Sequence, residues 1–200
     1  MAFRSGGVDG VVSAGILYLH GFCSSPASWK AQRLAVALRE RGQSDRLFCP
    51  FLSYVPREAI AQAEKIIEQQ ARQLTLVGSS LGGFYATYLA EKFDLKAVLV
   101  NPAVVAPLSL EKYLGTQTNL YTQEPFEFTT EHIKQLYALE VQNGMPERYL
   151  LMVETGDEVL DYQQALVRYA GCQQMVFDGG DHSFTRFGEC LPQLLEFCGL

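Results

Sequence analysis

Gly78-Ser79-Ser80-Leu81-Gly82 sets a serine midway between two glycines. The apolar run Leu74–Val77 precedes it, and the helical run Leu81–Phe93 follows it. A tight turn between a strand and a helix lifts the central hydroxyl out of the surface, and the glycines remove Cβ atoms that would collide with neighbouring backbone. The chemistry such a turn offers is nucleophilic attack by the Ser80 hydroxyl. The plain alternative, a glycine-rich turn with a capping serine, fits the strand–turn–helix context less well. Ser79, on the strand side, reads as structural.

A serine hydroxyl attacks only when a base takes its proton. The chain has three histidines, His20, His132 and His182. His20 ends the first clear strand and reads as a structural histidine that ties down its loop. His132 sits just inside a helix, at an exposed or lid position. His182 follows Gly179-Gly180-Asp181 after the last strand, so elimination leaves it as the base. The acid that orients it reads as Asp157, just past a strand end in Thr155-Gly156-Asp157-Glu158. Asp161 has a helix N-cap to form, with Gln164 three positions on. Glu158 and Asp178 are weaker candidates, and Asp181 reads as shaping the turn before His182. A developing oxyanion needs two convergent N–H donors, and the amides of Leu81 and Phe22 are the candidates. Cys23 lies beside Phe22, but no base is placed for it there.

These residues need elements to carry them. Ile16–His20, Leu47–Cys49, Leu74–Gly78, Lys96–Asn101, Tyr149–Thr155 and Gln174–Phe177 read as strands. The helices between them read as a segment opened by Ser25-Pro26 and ended by Gly42, then Arg57–Arg72, Leu81–Phe93, Thr129 or Thr130 to about Val141, and Tyr162–Tyr169. A last helix, Glu189–Phe197, should begin near Gly188 because Pro192 fits only near its first turn. Strands alternating with helices predict an α/β fold: a mostly parallel sheet with helices on both faces. Ligands bind such sheets at the carboxyl ends of the strands, so the loops after His20, Gly78, Asn101, Thr155 and Phe177 should share one rim. The order Ser80, Asp157, His182 along the chain is the order of an α/β-hydrolase.

Composition narrows the partners. At 200 residues, 48% hydrophobic and 19% charged, the chain is neither disordered nor too short for a sizeable core. A net charge of −6 without a basic run argues against nucleic acid. No stretch approaches the ~20 apolar residues of a membrane helix. Five cysteines without a C-x-x-C pair favour a reducing cytoplasm over a disulfide framework, and the histidines are too scattered to suggest a metal site. Residues 1–14 lack the apolar segment of a signal peptide and read as a flexible leader, leaving 15–200 as one domain. Within it, 102–130 breaks the rhythm and reads as a short cap. Its aromatics could line an acyl pocket or pack the cap onto the body, and its shortness suggests an open site for small acyl groups.

Together, Leu17-Tyr18-Leu19-His20-Gly21-Phe22, Gly78 to Tyr85, Asn101-Pro102-Ala103, Thr155 to Tyr162 and Gly179 to Phe184 resemble the small bacterial YqiA/YcfP-type esterases of the α/β-hydrolase superfamily. The resemblance runs from about Ile16 to Leu200, with two departures: Asp181 stands where Asn is also expected, and the leader has no counterpart. It implies a cofactor-independent serine esterase acting on a small-molecule ester or thioester, with no metal. An acyl-CoA thioesterase uses the same machinery. A non-catalytic binding module on the same fold is the competitor from another class.

Overall fold

In the computed structural model, which describes residues 14–70 and 73–200, the apolar runs form strands and the amphipathic runs form helices. β1 (Ala14–Leu19) is followed by α1 (Trp29–Glu40) and the short β2 (Leu47–Phe48). Then come α2 (Pro56–Gln69), β3 (Gln73–Ser79), α3 (Leu81–Phe93) and β4 (Lys96–Val100). After β4 lie α4 (Ala106–Leu110), the antiparallel hairpin β5 (Gly115–Thr118) and β6 (Pro125–Phe128), and α5 (Thr130–Tyr137). β7 (Tyr149–Glu154), α6 (Tyr162–Arg168), β8 (Gln173–Phe177) and α7 (Phe187–Phe197) finish the chain. Of the expected leader, 1–14, only Ala14 falls among the described residues, as the first residue of β1. The expected end of the second helix at Arg72 lies outside them.

Six strands form one sheet in the order β2-β1-β3-β4-β7-β8, with every neighbouring pair parallel. Successive residues of a strand face opposite sides, and both sides are apolar. Leu17, Leu19, Leu74, Leu76, Ala97 and Leu99 pack under α2, α3, α5 and α6. Ile16, Tyr18, Val77, Val98 and Val100 pack under α1 and α7. This is the α/β architecture expected from the alternation of elements. Among the described residues no helix is long and apolar enough to cross a membrane.

One helix start differs from the sequence reading. Ser25 Oγ takes the Ala27 amide at 3.0 Å, and the Ser25 carbonyl takes the Ser28 amide at 3.0 Å. That turn uses up Ser25 and Pro26, so α1 begins later, with Ser28 as its N-cap. α7 begins at Phe187, within a residue of the expected Gly188, although Pro192 then falls in its second turn rather than its first. α5 stops at Tyr137, short of Val141.

The segment 102–130 reaches back over the carboxyl ends of β1 and β3. The hairpin tip is tied to the loop after β1: the Leu120 amide donates to the Cys23 carbonyl at 2.9 Å, and Asn119 Nδ2 donates to the Ser24 carbonyl at 3.0 Å. The Phe22 ring packs among Tyr113, Phe126 and Phe128, with centroids 5.7, 5.8 and 4.9 Å away.

On the other face, Phe187 is fully buried between α1 and α7 and meets the Trp29 ring edge-on. Phe187→Ala is expected to lower unfolding free energy by about 3–5 kcal/mol, read as a drop in the urea midpoint at unchanged slope.

Candidate active site

Ser80 occupies the turn between β3 and α3 with φ 55° and ψ −120°, a conformation that side chains other than glycine seldom adopt. Its neighbours make the turn possible. A Cβ at Gly78 would overlap the Gly82 carbonyl, and a Cβ at Gly82 would overlap the Leu19 carbonyl of β1. Adjacent sheet ends hold the strained residue in place: the Ser80 amide donates to the Val100 carbonyl at 3.1 Å, and the Ala103 amide donates to the Ser80 carbonyl at 3.0 Å.

The structure brings Ser80, His182 and Asp157 together. Ser80 Oγ lies 3.0 Å from His182 Nε2, and His182 Nδ1 lies 2.8 Å from Asp157 Oδ2. An ionised carboxylate can only accept, so Nδ1 carries the proton and Nε2 is left free to accept the Ser80 hydroxyl. Burial pushes the Asp157 pKa up, but the His182 hydrogen bond, the Leu160 and Val159 amides and the His182 charge outweigh it. Asp157 therefore sits below the ordinary carboxylate range. Its Oδ1 accepts those two amides at 2.9 Å each, which leaves Oδ2 for the imidazole.

Phe22 and Leu81 lie beside the serine. Leu81 is the first residue of α3 and its amide has no acceptor within the helix. At Gly21, next to Phe22, a Cβ would stand 3.3 Å from Ser80 Cβ. Gly21, Phe22, Ser80, Leu81 and His182 all border one cleft of about 700 Å³, within the size range of small-molecule sites. Tyr113 and Tyr121 of the cap border it too. Of the aromatics in 102–130, Tyr113, Phe126 and Phe128 pack on Phe22, and Tyr113 and Tyr121 border the cleft.

The other histidines are held elsewhere. His20 Nδ1 donates to the Gly21 carbonyl at 3.0 Å, and Nε2 accepts the Leu52 amide at 3.0 Å. Burial lowers its pKa, which keeps this neutral tautomer. His132 Nδ1 accepts the Thr129 amide at 3.1 Å and completes the cap of α5. Asp161 caps α6 through the Gln163 amide at 2.9 Å, and Asp181 accepts the Ser183 amide at 2.8 Å. Glu158 accepts the His182 amide at 3.0 Å, and Asp178 accepts the Thr155 hydroxyl at 3.2 Å. Burial raises the Cys23 thiol to about 11, so little thiolate forms near neutral pH.

Two residues escaped the sequence reading. Glu154, the last residue of β7, is fully buried. Its carboxylate accepts the amides of Asp181 at 2.9 Å, Thr185 at 3.2 Å and Arg186 at 3.2 Å, together with the Thr185 hydroxyl at 3.4 Å. Gly180 is required beside it, since a Cβ there would overlap this carboxylate. Asn101, just past β4, accepts the Glu154 amide at 3.0 Å and donates to the carbonyls of Asp181 at 3.0 Å and His182 at 3.4 Å. The one available signal was an acidic residue inside an otherwise apolar strand.

A family model described as "Uncharacterised protein family (UPF0227)" matches residues 15–199. Solved structures share the fold at low identity. α/β-Hydrolase domain-containing protein 10 from mouse superposes with a TM-score of 0.70 at 16% identity, covering 91% of this chain and 88% of that one. A monoacylglycerol lipase from Paleococcus ferrophilus gives 0.65 at 16% identity, with 93% and 95% covered. The esterase domain of a Rhodothermus marinus protein gives 0.61 at 18% identity, with 94% and 87% covered. The sheet and its helices are therefore those of the α/β-hydrolase fold.

Glu154→Gln turns an amide NH2 toward backbone N–H groups that need an acceptor. A buried donor left unpaired costs about 1–3 kcal/mol, so the variant is expected to unfold at lower urea and the protein to become more open to proteolysis at loop 179–186. A midpoint equal to the wild type's would show that the carboxylate is dispensable.

Proposed function

The chain belongs to the uncharacterised protein family UPF0227, and we propose that it is a serine hydrolase cleaving carboxylic esters, short-chain acyl esters among them, through an acyl-enzyme on Ser80. The observation that carries this reading is the pair of hydrogen bonds, 3.0 and 2.8 Å, linking Ser80 Oγ to His182 and His182 to Asp157.

In the first half-reaction His182 Nε2 takes the Ser80 proton as Oγ bonds to the acyl carbon. Negative charge moves to the carbonyl oxygen, where the Phe22 and Leu81 amides and the N-terminus of α3 receive it. Asp157 keeps Nδ1 protonated and stabilises the imidazolium. The tetrahedral intermediate collapses, and the alcohol leaves with the proton from His182. Water, deprotonated by His182, then attacks the acyl-serine, and the acid departs as Ser80 Oγ regains its proton. The chemistry draws on no cofactor. We assign the cytoplasm as its setting, on the ground that the five cysteines are an odd, irregularly spaced set with no C-x-x-C pair.

One observation favours a second reading, hydrolysis of anionic thioesters such as acyl-CoA. Among the described residues the cleft is bordered by Lys30 and Lys112 and by no Asp or Glu, although the chain carries a net charge of −6. Side-by-side turnover of p-nitrophenyl butyrate and acyl-CoA separates the two substrates.

A fluorophosphonate is expected to add its mass to the peptide containing Ser80. Ser80→Ala and His182→Ala should each lose several orders of magnitude in kcat, because the two groups act as a unit. Labelling that persists in Ser80→Ala refutes the assignment. A folded wild type that turns over no member of a broad ester and thioester panel points instead to a binding module.

A further inference from the structure

Glu154 and Asn101 grip the histidine loop from the strand ends. A further grip comes from α1. Lys30, the second residue of α1, donates from Nζ to the Ser183 carbonyl at 2.7 Å. That carbonyl belongs to the residue directly after His182. Lys30 is half-buried and also borders the cleft. It thus joins α1, which is anchored on the sheet through Ala31, Leu34 and Leu38, to the segment whose position sets the distance from Nε2 to Ser80.

We propose that Lys30 is a positioning residue for the base of the hydrolytic reaction, holding the His182 loop against Ser80 through its hydrogen bond to the Ser183 carbonyl. The inference rests on the serine-hydrolase reading and adds a residue that the reading does not need.

A charged donor makes a shorter and stronger hydrogen bond than a neutral one, so the grip depends on the ammonium form. Burial lowers the Lys30 pKa to about 8, against the attraction of Asp181, Glu154 and Asp157. Asp181 and His182 lie on the loop it holds, and Glu154 and Asp157 lie at the end of β7. Below about pH 8 Lys30 is an ammonium and the loop is held, and above it the amine is neutral and the hold weakens. Turnover should therefore fall on the alkaline side.

The test uses p-nitrophenyl butyrate, a neutral ester, so that loss of cleft charge does not itself weaken binding. Wild type, Lys30→Met, Lys30→Arg and Ser80→Ala are assayed across about pH 6 to 9.5. A displacement of the order of 1 Å at a reacting group costs up to about a hundredfold, so losing this one grip among several is expected to lower kcat about tenfold with KM nearly unchanged. Wild-type kcat should decline above about pH 8. Lys30→Met should be low and flat, and Lys30→Arg, always charged, should keep activity without the decline. Wild-type kcat in Lys30→Met overturns the proposal, as does an alkaline decline unchanged in Lys30→Arg. Full turnover by Ser80→Ala overturns the underlying hydrolase reading as well, whereas an inactive Ser80→Ala beside an unaffected Lys30→Met overturns the positioning role alone.

Discussion

To stand beside Ser80, the imidazole of His182 has to come back across the sheet. Ser80 follows β3 and the histidine follows β8, with β4 and β7 between them. Three strand spacings are about 14 Å. A loop making that crossing runs over the carboxyl ends of the two intervening strands, where backbone groups would otherwise lose their partners to burial. Those strand ends supply what the loop needs. Asn101 stands at the end of β4 and binds loop carbonyls, and Glu154 stands at the end of β7 and binds loop amides. The two are joined to each other by the Glu154 amide and the Asn101 side chain. A fully buried carboxylate is expensive unless it is saturated with donors, and here the donors come from the segment that has to be fixed.

At the serine the same economy takes another form. Its positive φ is a local strain of about 1–3 kcal/mol, sustained because surrounding structure allows no relaxed alternative. The Ser80 amide and carbonyl are both engaged by the β4 end, and the turn is closed by glycines at points where backbone meets backbone. A parallel sheet buried on both faces suits this, since its ends cannot shift without disturbing both apolar layers. The cap contributes by a different route, tying its hairpin to the Cys23–Ser24 backbone and wrapping aromatics around Phe22. The amide expected to receive the oxyanion is thus seated by contacts from a segment that also walls the cleft.

Much of this was legible in the sequence. α3 has the predicted bounds, and β3, β4, β7 and β8 each lie within a residue or so of expectation, because short continuous apolar runs, several of them closed by Gly, Asn-Pro or Thr-Gly, leave few other readings. Ser80, His182 and Asp157 could be proposed because their chemistry needs them at the ends of strands. Less readable were features decided by contacts distant in the chain. The hairpin β5–β6 has very short strands, Gly-Thr-Gln-Thr and Pro-Phe-Glu-Phe, and the start of α1 depends on a turn that occupies Ser25 and Pro26. Glu154 was invisible for the same reason. An acidic residue ending an apolar strand does not announce that its partners lie at Asp181, Thr185 and Arg186.

The proposed reaction requires a hydroxyl, an imidazole and two amides to meet around one acyl group. A crystal structure of the protein inactivated with an ester-like phosphonate tests it most directly. The expected structure has phosphorus bonded to Ser80 Oγ and the phosphoryl oxygen about 2.7–3.1 Å from the Phe22 and Leu81 amides. His182 should lie on the leaving-group side, with loop 179–186 still seated on Asn101 and Glu154. Phosphorus on another residue, or a phosphoryl oxygen turned away from both amides, would contradict it.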